Sequence, residues 1–203
     1  YADYAIQPAA QNGQLDVLRF LKDEVKLTVD YFRTRDNYAI GFAAENGHLD
    51  VLRFLNDDVH LTADDFRAND NYAIRVATSN GHLNVLRFLK DDVNLTPDDY
   101  RGNNNYAIIH AAEEGYLDVL KFLKDDVGLT ADDFRARDNA VLRSAVEKAA
   151  AKGNLDVLRF LKDDVELTPD DFRPLIYFAS KRGNVELLRF LKDEVGLSDV
   201  VIC

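Results

Sequence analysis

The chain has 203 residues, 47% of them hydrophobic, with 25 Lys and Arg against 36 Asp and Glu for a net charge of −11. That acidity argues against nucleic acid, whose phosphates need Lys and Arg, and against anionic membranes, and it favours a protein partner with a basic surface. A single cysteine, Cys203, makes no internal disulfide and fits a reducing compartment, while no apolar run approaches the ~20 residues that span a bilayer.

The start, Tyr1-Ala2-Asp3, lacks a basic-then-apolar leader, and no methionine occurs anywhere, so the stretch reads as a segment of a longer protein. The first element to recur is a helix opened by Asp3-Tyr4-Ala5-Ile6, by Asn-Tyr-Ala-Ile at 37–40, 71–74 and 105–108, and by Asn139-Ala140-Val141-Leu142, at a spacing of 34 residues. In the second copy Asp36 or Asn37 is placed to cap this helix, and Tyr38, Ile40, Ala43 and Ala44 follow at helical spacing. Gly47 ends it, because a left-handed residue closes such helices and Gly adopts that conformation at least cost.

The second element is the phrase Gly-x-Leu-x-Val-Leu-Arg-Phe-Leu, starting at Gly13, Gly47, Gly81 and Gly153. Gly115 opens a copy with Lys121 for the Arg, and Gly183 one with Val185 and Leu187. Leu49, Val51, Leu52, Phe54 and Leu55 are apolar on more than one side, which predicts an inner helix sandwiched between neighbours. The third element, Leu-Thr-x-Asp-x-Phe/Tyr-Arg, runs from Leu27, Leu61, Leu95, Leu129 and Leu167. Thr62 is a good N-cap, Asp65 stands three residues on to complete a capping box, and Pro97 and Pro169 occupy the first helical position. A third, short helix anchored by Phe66 is therefore predicted.

A fixed period of this length means stacked units that cannot bury their apolar faces alone. Six are expected, roughly 1–36, 37–70, 71–104, 105–138, 139–173 and 174–203, forming a single repeat domain. Gly115 to Gly153 is 38 residues and Gly153 to Gly183 is 30. Four residues are about one helical turn. The insertion near Ala145-Val146-Glu147-Lys148 thus predicts a longer first helix in the fifth unit. The deletion, of a Gly-Asn-Asn-Asn linker like 102–105, predicts a tighter turn into the sixth.

The run Ala43-Ala44-Glu45-Asn46-Gly47-His48-Leu49-Asp50-Val51-Leu52 resembles the helix-turn-helix heart of an ankyrin repeat, and it recurs with changes along nearly the whole chain. The resemblance implies an all-α repeat solenoid of about six units, with antiparallel helix pairs stacked into a curved array that offers a concave binding face to proteins. Two features depart from the family pattern. Tyr-Ala-Ile replaces the usual Thr-Pro-Leu-His, and the segment that would project as a β-hairpin reads as the short third helix. The period is also one residue longer than usual, and the subtype the chain most resembles is the divergent ankyrin arrays of large amoeba viruses and intracellular bacteria. A tetratricopeptide array shares the period, but Ala-Ala-x-x-Gly-His-Leu favours ankyrin.

Positions that agree between units are structural, and exposed positions that vary are candidates for recognition. The two residues before Ala-Ala vary most: Gln7-Pro8, Gly41-Phe42, Arg75-Val76, Ile109-His110, Arg143-Ser144 and Tyr177-Phe178. Phe42, Arg75, Val76, His110, Tyr177 and Phe178 mix aromatic, basic and apolar character as interface centres do, and are expected to bind the partner. The competing expectation is that Phe42, Val76 and Phe178 pack between units. Acidic pairs recur at Asp57-Asp58, Asp91-Asp92, Asp125-Asp126 and Asp163-Asp164, and at Asp64-Asp65, Asp98-Asp99, Asp132-Asp133 and Asp170-Asp171. They read as caps and partners for Arg67, Arg101, Arg135 and Arg173, with a track for a basic peptide as the alternative.

No His-Cys cluster has metal-ligand spacing, no Gly-rich loop cradles a phosphate, and the carboxylates repeat where a catalytic pair should be unique. No catalysis, cofactor, metal, nucleic acid or membrane is expected. The expected function is a cytoplasmic scaffold that binds a protein or peptide. The alternative is a targeting or spacer region of a larger effector enzyme whose catalytic domain lies outside this chain, placing it in a host cytoplasm. A monomer is expected, with an end-to-end dimer through Val200-Val201-Ile202 as the other possibility.

Overall fold

A computed structural model describes residues 3–152 and 155–198, with side chains for all of these except 3, 136–139 and 146–152. Gly153, Val200-Val201-Ile202 and Cys203 lie outside the described residues. In chain order come α1 (Asp3–Gln11), α2 (Leu15–Asp23), α3 (Val29–Phe32), α4 (Thr34–Glu45), α5 (Leu49–Arg53), α6 (Ala63–Phe66), α7 (Ala68–Ser79) and α8 (Leu83–Asp91). Then follow α9 (Pro97–Glu114), α10 (Leu117–Lys121), α11 (Ala131–Lys152), α12 (Asp156–Asp163), α13 (Pro169–Phe172), α14 (Pro174–Lys181) and α15 (Val185–Arg189). No strand occurs among the described residues, so the segment that would make a hairpin is helical. Packing divides the chain into two compact units, residues 1–103 and 104–203.

Small residues set how closely the first helices approach. Ala9, Ala10, Ala43, Ala44 and Ala77 are buried, and with Ile6, Ile40 and Ile74 they let α1, α4 and α7 pack side by side in the first unit. Thr78 holds the place taken by Ala10, Ala44 and Ala112, is fully buried, and its hydroxyl has no hydrogen-bond partner. A buried hydroxyl without a partner costs about 1–3 kcal/mol. Thr78→Ala is therefore expected to stabilise the protein by about 1 kcal/mol in urea unfolding.

The first helices stop where expected. Gly47 has φ +73° and Gly81 φ +70°, the left-handed region that excludes most side chains. Room is the second reason for glycine: a Cβ on Gly47 would sit 2.9 Å from the His82 ring. That imidazole donates from Nε2 to the Glu45 carbonyl at 2.9 Å, and His48 does the same to Gln11 at 3.0 Å. Each histidine thus ties the start of one second helix to the end of the first helix of the preceding copy.

Second helices close in a wider turn. After α5, residues 54–58 form a π-turn, in which the Val59 N–H bonds to the Phe54 carbonyl and Leu61 reaches back to Leu55. His60 between them has φ +64°, as do Lys26, Asn94 and Glu166 within a few degrees, and Gly128 and Gly196 take φ +82°. This second left-handed position escapes a reading of the helix pattern, although Asn94, Gly128 and Gly196 mark it by residue type.

The starts of the first helices require a correction. Asp36 and Asn37 do not cap α4: with Arg35 they form three consecutive left-handed residues (φ 52–59°), after which the right-handed helix begins. Asn69-Asp70-Asn71 in α7 and Asn103, Asn104 and Asn105 repeat the device. Asn and Asp tolerate this region better than other residues with a Cβ, which explains their concentration there. Asn37 donates instead to the Asp65 carboxylate at 3.4 Å. In α14 the device is missing, and Pro174 opens the helix directly after Arg173 as the four-residue deletion implies. The insertion falls within α11, which runs on to Lys152.

Short third helices join neighbouring copies. Asp65 accepts the Thr62 N–H at 2.8 Å and its hydroxyl at 3.0 Å, completing the capping box, and Thr168 with Asp171 builds the same box. The same carboxylate takes two bonds, 2.9 and 3.0 Å, from Arg33 of the preceding copy. Arg67 reaches Asp99 at 2.9 and 3.2 Å, and Arg135 reaches Asp171 at 3.2 Å. Burial alone would raise the Asp65 and Asp99 carboxyls, but bonds from the arginine and from the capping threonine outweigh it and hold both below the ordinary range. At Asp171 the same opposition holds, with Thr168 contributing first and Arg135 next. A carboxyl lowered on folding stabilises above its unfolded pKa and loses that contribution as pH falls through the folded value. Stability is thus expected to drop as pH falls below about 4. Urea unfolding at neutral and acid pH checks this, and the Asp65→Asn/Asp99→Asn/Asp171→Asn triple should flatten the dependence.

Candidate functional site

In the first unit, the exposed side of α4 and α7 gathers aromatic rings. Tyr38, Phe42, Asn69 and Tyr72 line an open hollow of about 310 Å³. Position 41 is glycine where the Tyr72 ring comes close: a Cβ there would lie 2.6 Å from the ring, so the ring lies against bare backbone. Phe42 is half-buried and meets Tyr38 edge-on, with centroids 5.7 Å apart. The Arg75 guanidinium stands 5.5 Å from the Tyr72 ring centroid and donates from Nη2 to the Asn69 carbonyl at 3.2 Å. Val76, next in the chain, is half-buried. Toward the N-terminus, Arg35 lies 4.8 Å over the Tyr4 ring and donates to Gln7 at 3.2 Å.

Two further groups stand in the second unit. His110 stacks on Tyr106 with centroids 3.9 Å apart, and its Nδ1 lies 3.0 Å from the Glu113 carboxylate. Tyr177 is 65% exposed, meets Phe178 edge-on at 5.8 Å, and has the Lys181 ammonium 5.9 Å over its ring. The structure thus brings Phe42 and Arg75 to one patch through Tyr72, and joins Tyr177 with Phe178. His110 sits on a different helix with partners of its own. Phe42, Val76 and Phe178 are half-buried and none is sealed in the core, so each presents part of its surface.

Tyr38 and Tyr72 are missed by a search for variable positions, because the Asn-Tyr-Ala-Ile phrase recurs, and Asn69 is missed because it lies outside the pair of positions before Ala-Ala. Tyrosine is a signal in itself. An amphipathic ring repeated at the same register near the start of a polar-flanked helix keeps its hydroxyl end wet and its ring available.

The carboxylates divide by place. Asp65, Asp99 and Asp171 are bound by threonine and arginine as described. Asp64, Asp98, Asp132 and Asp170 are exposed and each pairs with the arginine three residues on, at 3.0, 2.8, 3.2 and 2.8 Å. Lys90 and Lys124 meet the neighbouring Asp91 and Asp125 at 2.7 and 3.0 Å. Among the described residues no group of three or more His, Cys, Asp or Glu is placed to hold a metal ion, and no helix is long and apolar enough to cross a membrane. The Tyr100 hydroxyl is buried, which raises its pKa above the ordinary value, and it donates to the Leu86 carbonyl at 2.7 Å. It is a core group in the place of the anchoring phenylalanine.

Two family models match the chain. Ankyrin repeats (3 copies) matches residues 40–134, and Ankyrin repeats (many copies) matches residues 146–191. A search of curated proteins gives no match.

Proposed function

Since the chain belongs to the ankyrin-repeat family, we propose that it is a protein-interaction scaffold, without a reaction of its own, that holds a protein or peptide on the exposed face of its first helices. The observation that carries this reading is the open hollow lined by Tyr38, Phe42, Asn69 and Tyr72, with room for the Tyr72 ring left by the missing Cβ at Gly41. It is open, mostly apolar and edged by Asn69 and Arg75, the composition of an interface centre with an orienting rim. An apolar side chain of the partner fills the hollow, and its backbone carbonyls or a carboxylate meet Arg75. The acidic ends of the second helices lie on other residues and attract a basic surface at longer range, speeding encounter more than adding affinity. A reducing, cytoplasmic setting fits the single cysteine.

The test is capture of a partner by the wild-type chain and by the Phe42→Ala/Arg75→Ala/Tyr177→Ala triple. The wild type is expected to retain it and the triple to lose it with helicity unchanged by circular dichroism. Equal capture by both moves the binding site off these helices.

A further inference from the structure

Asparagine precedes the glycine that ends the first helix in three copies, at Asn12-Gly13, Asn46-Gly47 and Asn80-Gly81, and all three asparagines are exposed. An Asn-Gly pair is open to self-modification, because no side chain shields the glycine nitrogen. That nitrogen attacks the asparagine Cγ. An N–Cγ bond forms, the Cγ–Nδ2 bond breaks, and ammonia leaves with the glycine amide proton. Water then opens the cyclic imide. Opening at Cγ gives aspartate. Opening at the main-chain carbonyl gives isoaspartate, in which the backbone runs through the former side chain.

The fold holds the reacting atoms off this path. Each asparagine Nδ2 donates to the carbonyl four residues back, Asn12 to Pro8, Asn46 to Phe42 and Asn80 to Val76, at 2.7, 2.9 and 2.8 Å. The N–H groups of Gly13, Gly47 and Gly81 donate to the Ala10, Ala44 and Thr78 carbonyls at 3.4, 3.3 and 3.1 Å. Asn46 and Asn80 have ψ of 3° and 2°, and closing the imide needs rotation about ψ that swings the glycine nitrogen toward Cγ.

In two copies an imidazole also closes the turn from outside. The His82 ring lies against Gly47, 2.9 Å from where a Cβ would stand, and the His48 ring lies against Gly13 at 2.7 Å. Their bonds to the Glu45 and Gln11 carbonyls, at 2.9 and 3.0 Å, fix the peptide units that lead into Asn46 and Asn12.

We propose that Asn12 and Asn46 are latent modification sites, converted to aspartate and isoaspartate only when the histidine-clamped turn opens. At Asn46 the product puts a carboxylate where an amide donor met the Phe42 carbonyl, and it adds negative charge at a helix C-terminus, where it is unfavourable. The turn therefore closes less well after conversion, and the opening is recorded covalently. Phe42 lines the hollow, so on the first-helix reading proposed above conversion also weakens partner binding. The gating does not depend on that reading.

Peptide mass spectrometry of the chain aged in mildly alkaline buffer, folded and in urea, measures conversion at each asparagine. Asn12 and Asn46 are expected to convert at least about tenfold more slowly in the folded chain. His82→Ala removes the clamp over Gly47 alone. It is expected to speed Asn46 about threefold or more, with Asn12 unchanged as the internal reference and circular dichroism reporting the fold. Equal rates for the folded and urea-treated wild type overturn the proposal. So does a folded His82→Ala protein in which Asn46 keeps its rate, or in which both asparagines speed up equally, so that global unfolding sets the pace. A slower Asn46 in that variant also overturns it, since the imidazole would then be the base that draws off the glycine proton.

Discussion

Phe66→Ala is expected to lower unfolding free energy by about 3–5 kcal/mol, the usual cost of deleting a buried phenylalanine and leaving a cavity. Phe66 is 1% exposed, ends the third helix of its copy and packs edge-on against Phe88 of the next, 6.0 Å between centroids. The substitution therefore loosens both the short helix and the step to the following copy. Phe20→Ala is the matched control: the ring is 57% exposed, and the expected loss is within about 1 kcal/mol. Urea unfolding of both variants and of Phe66→Ala/Phe88→Ala checks the account. The double variant should cost less than the sum of the singles, since the rings share one contact. Equal, small losses for Phe66→Ala and Phe20→Ala would mean that the copies are not held together there.

Much of this architecture can be read from residue pattern. The glycine stops, the capping box of Thr62 and Asp65 and the burial of Phe66 each rest on a local rule with one clear outcome. Asp36 and Asn37 show where local rules stop short: they are good caps by residue type, yet the same tolerance of unusual backbone lets them form a left-handed turn. Three such residues in a row are rare enough that no single-residue preference points to them. His60 is the same lesson at one position, a non-glycine residue held at φ +64° by the closing turn around it. The pairing of Arg33 with Asp65 is between copies, not within one, and that choice depends on how far the copies are displaced, which spacing along the chain does not state. At the candidate site, variation between copies points to Phe42 and Arg75, and it points separately to Tyr177 and Phe178 in the second unit. It misses Tyr72 because a residue can be repeated for its place in the fold and still present its ring to solvent.

Tyr72→Ala is expected to weaken partner binding about 30-fold, roughly the 2 kcal/mol of a central aromatic anchor. The ring forms a wall of the hollow and carries Arg75 5.5 Å above it, so its loss removes both the apolar contact and the support of the cation. Gly41→Ala reaches the same site through the Tyr72 ring: its methyl would lie 2.6 Å from the ring and displace it. The two changes alter different atoms, and both should raise Kd with the variants still folded at the assay temperature. Titration calorimetry against the captured partner measures each. A Tyr72→Ala protein that binds as tightly as the wild type would remove the hollow from the interface.

The most direct test of the binding face is amide chemical-shift mapping of the 15N-labelled chain as the captured partner is added. The first-helix account predicts the largest changes at Tyr38, Phe42, Tyr72 and Arg75. Changes confined to the acidic helix ends at Asp57-Asp58 and Asp91-Asp92 would contradict it.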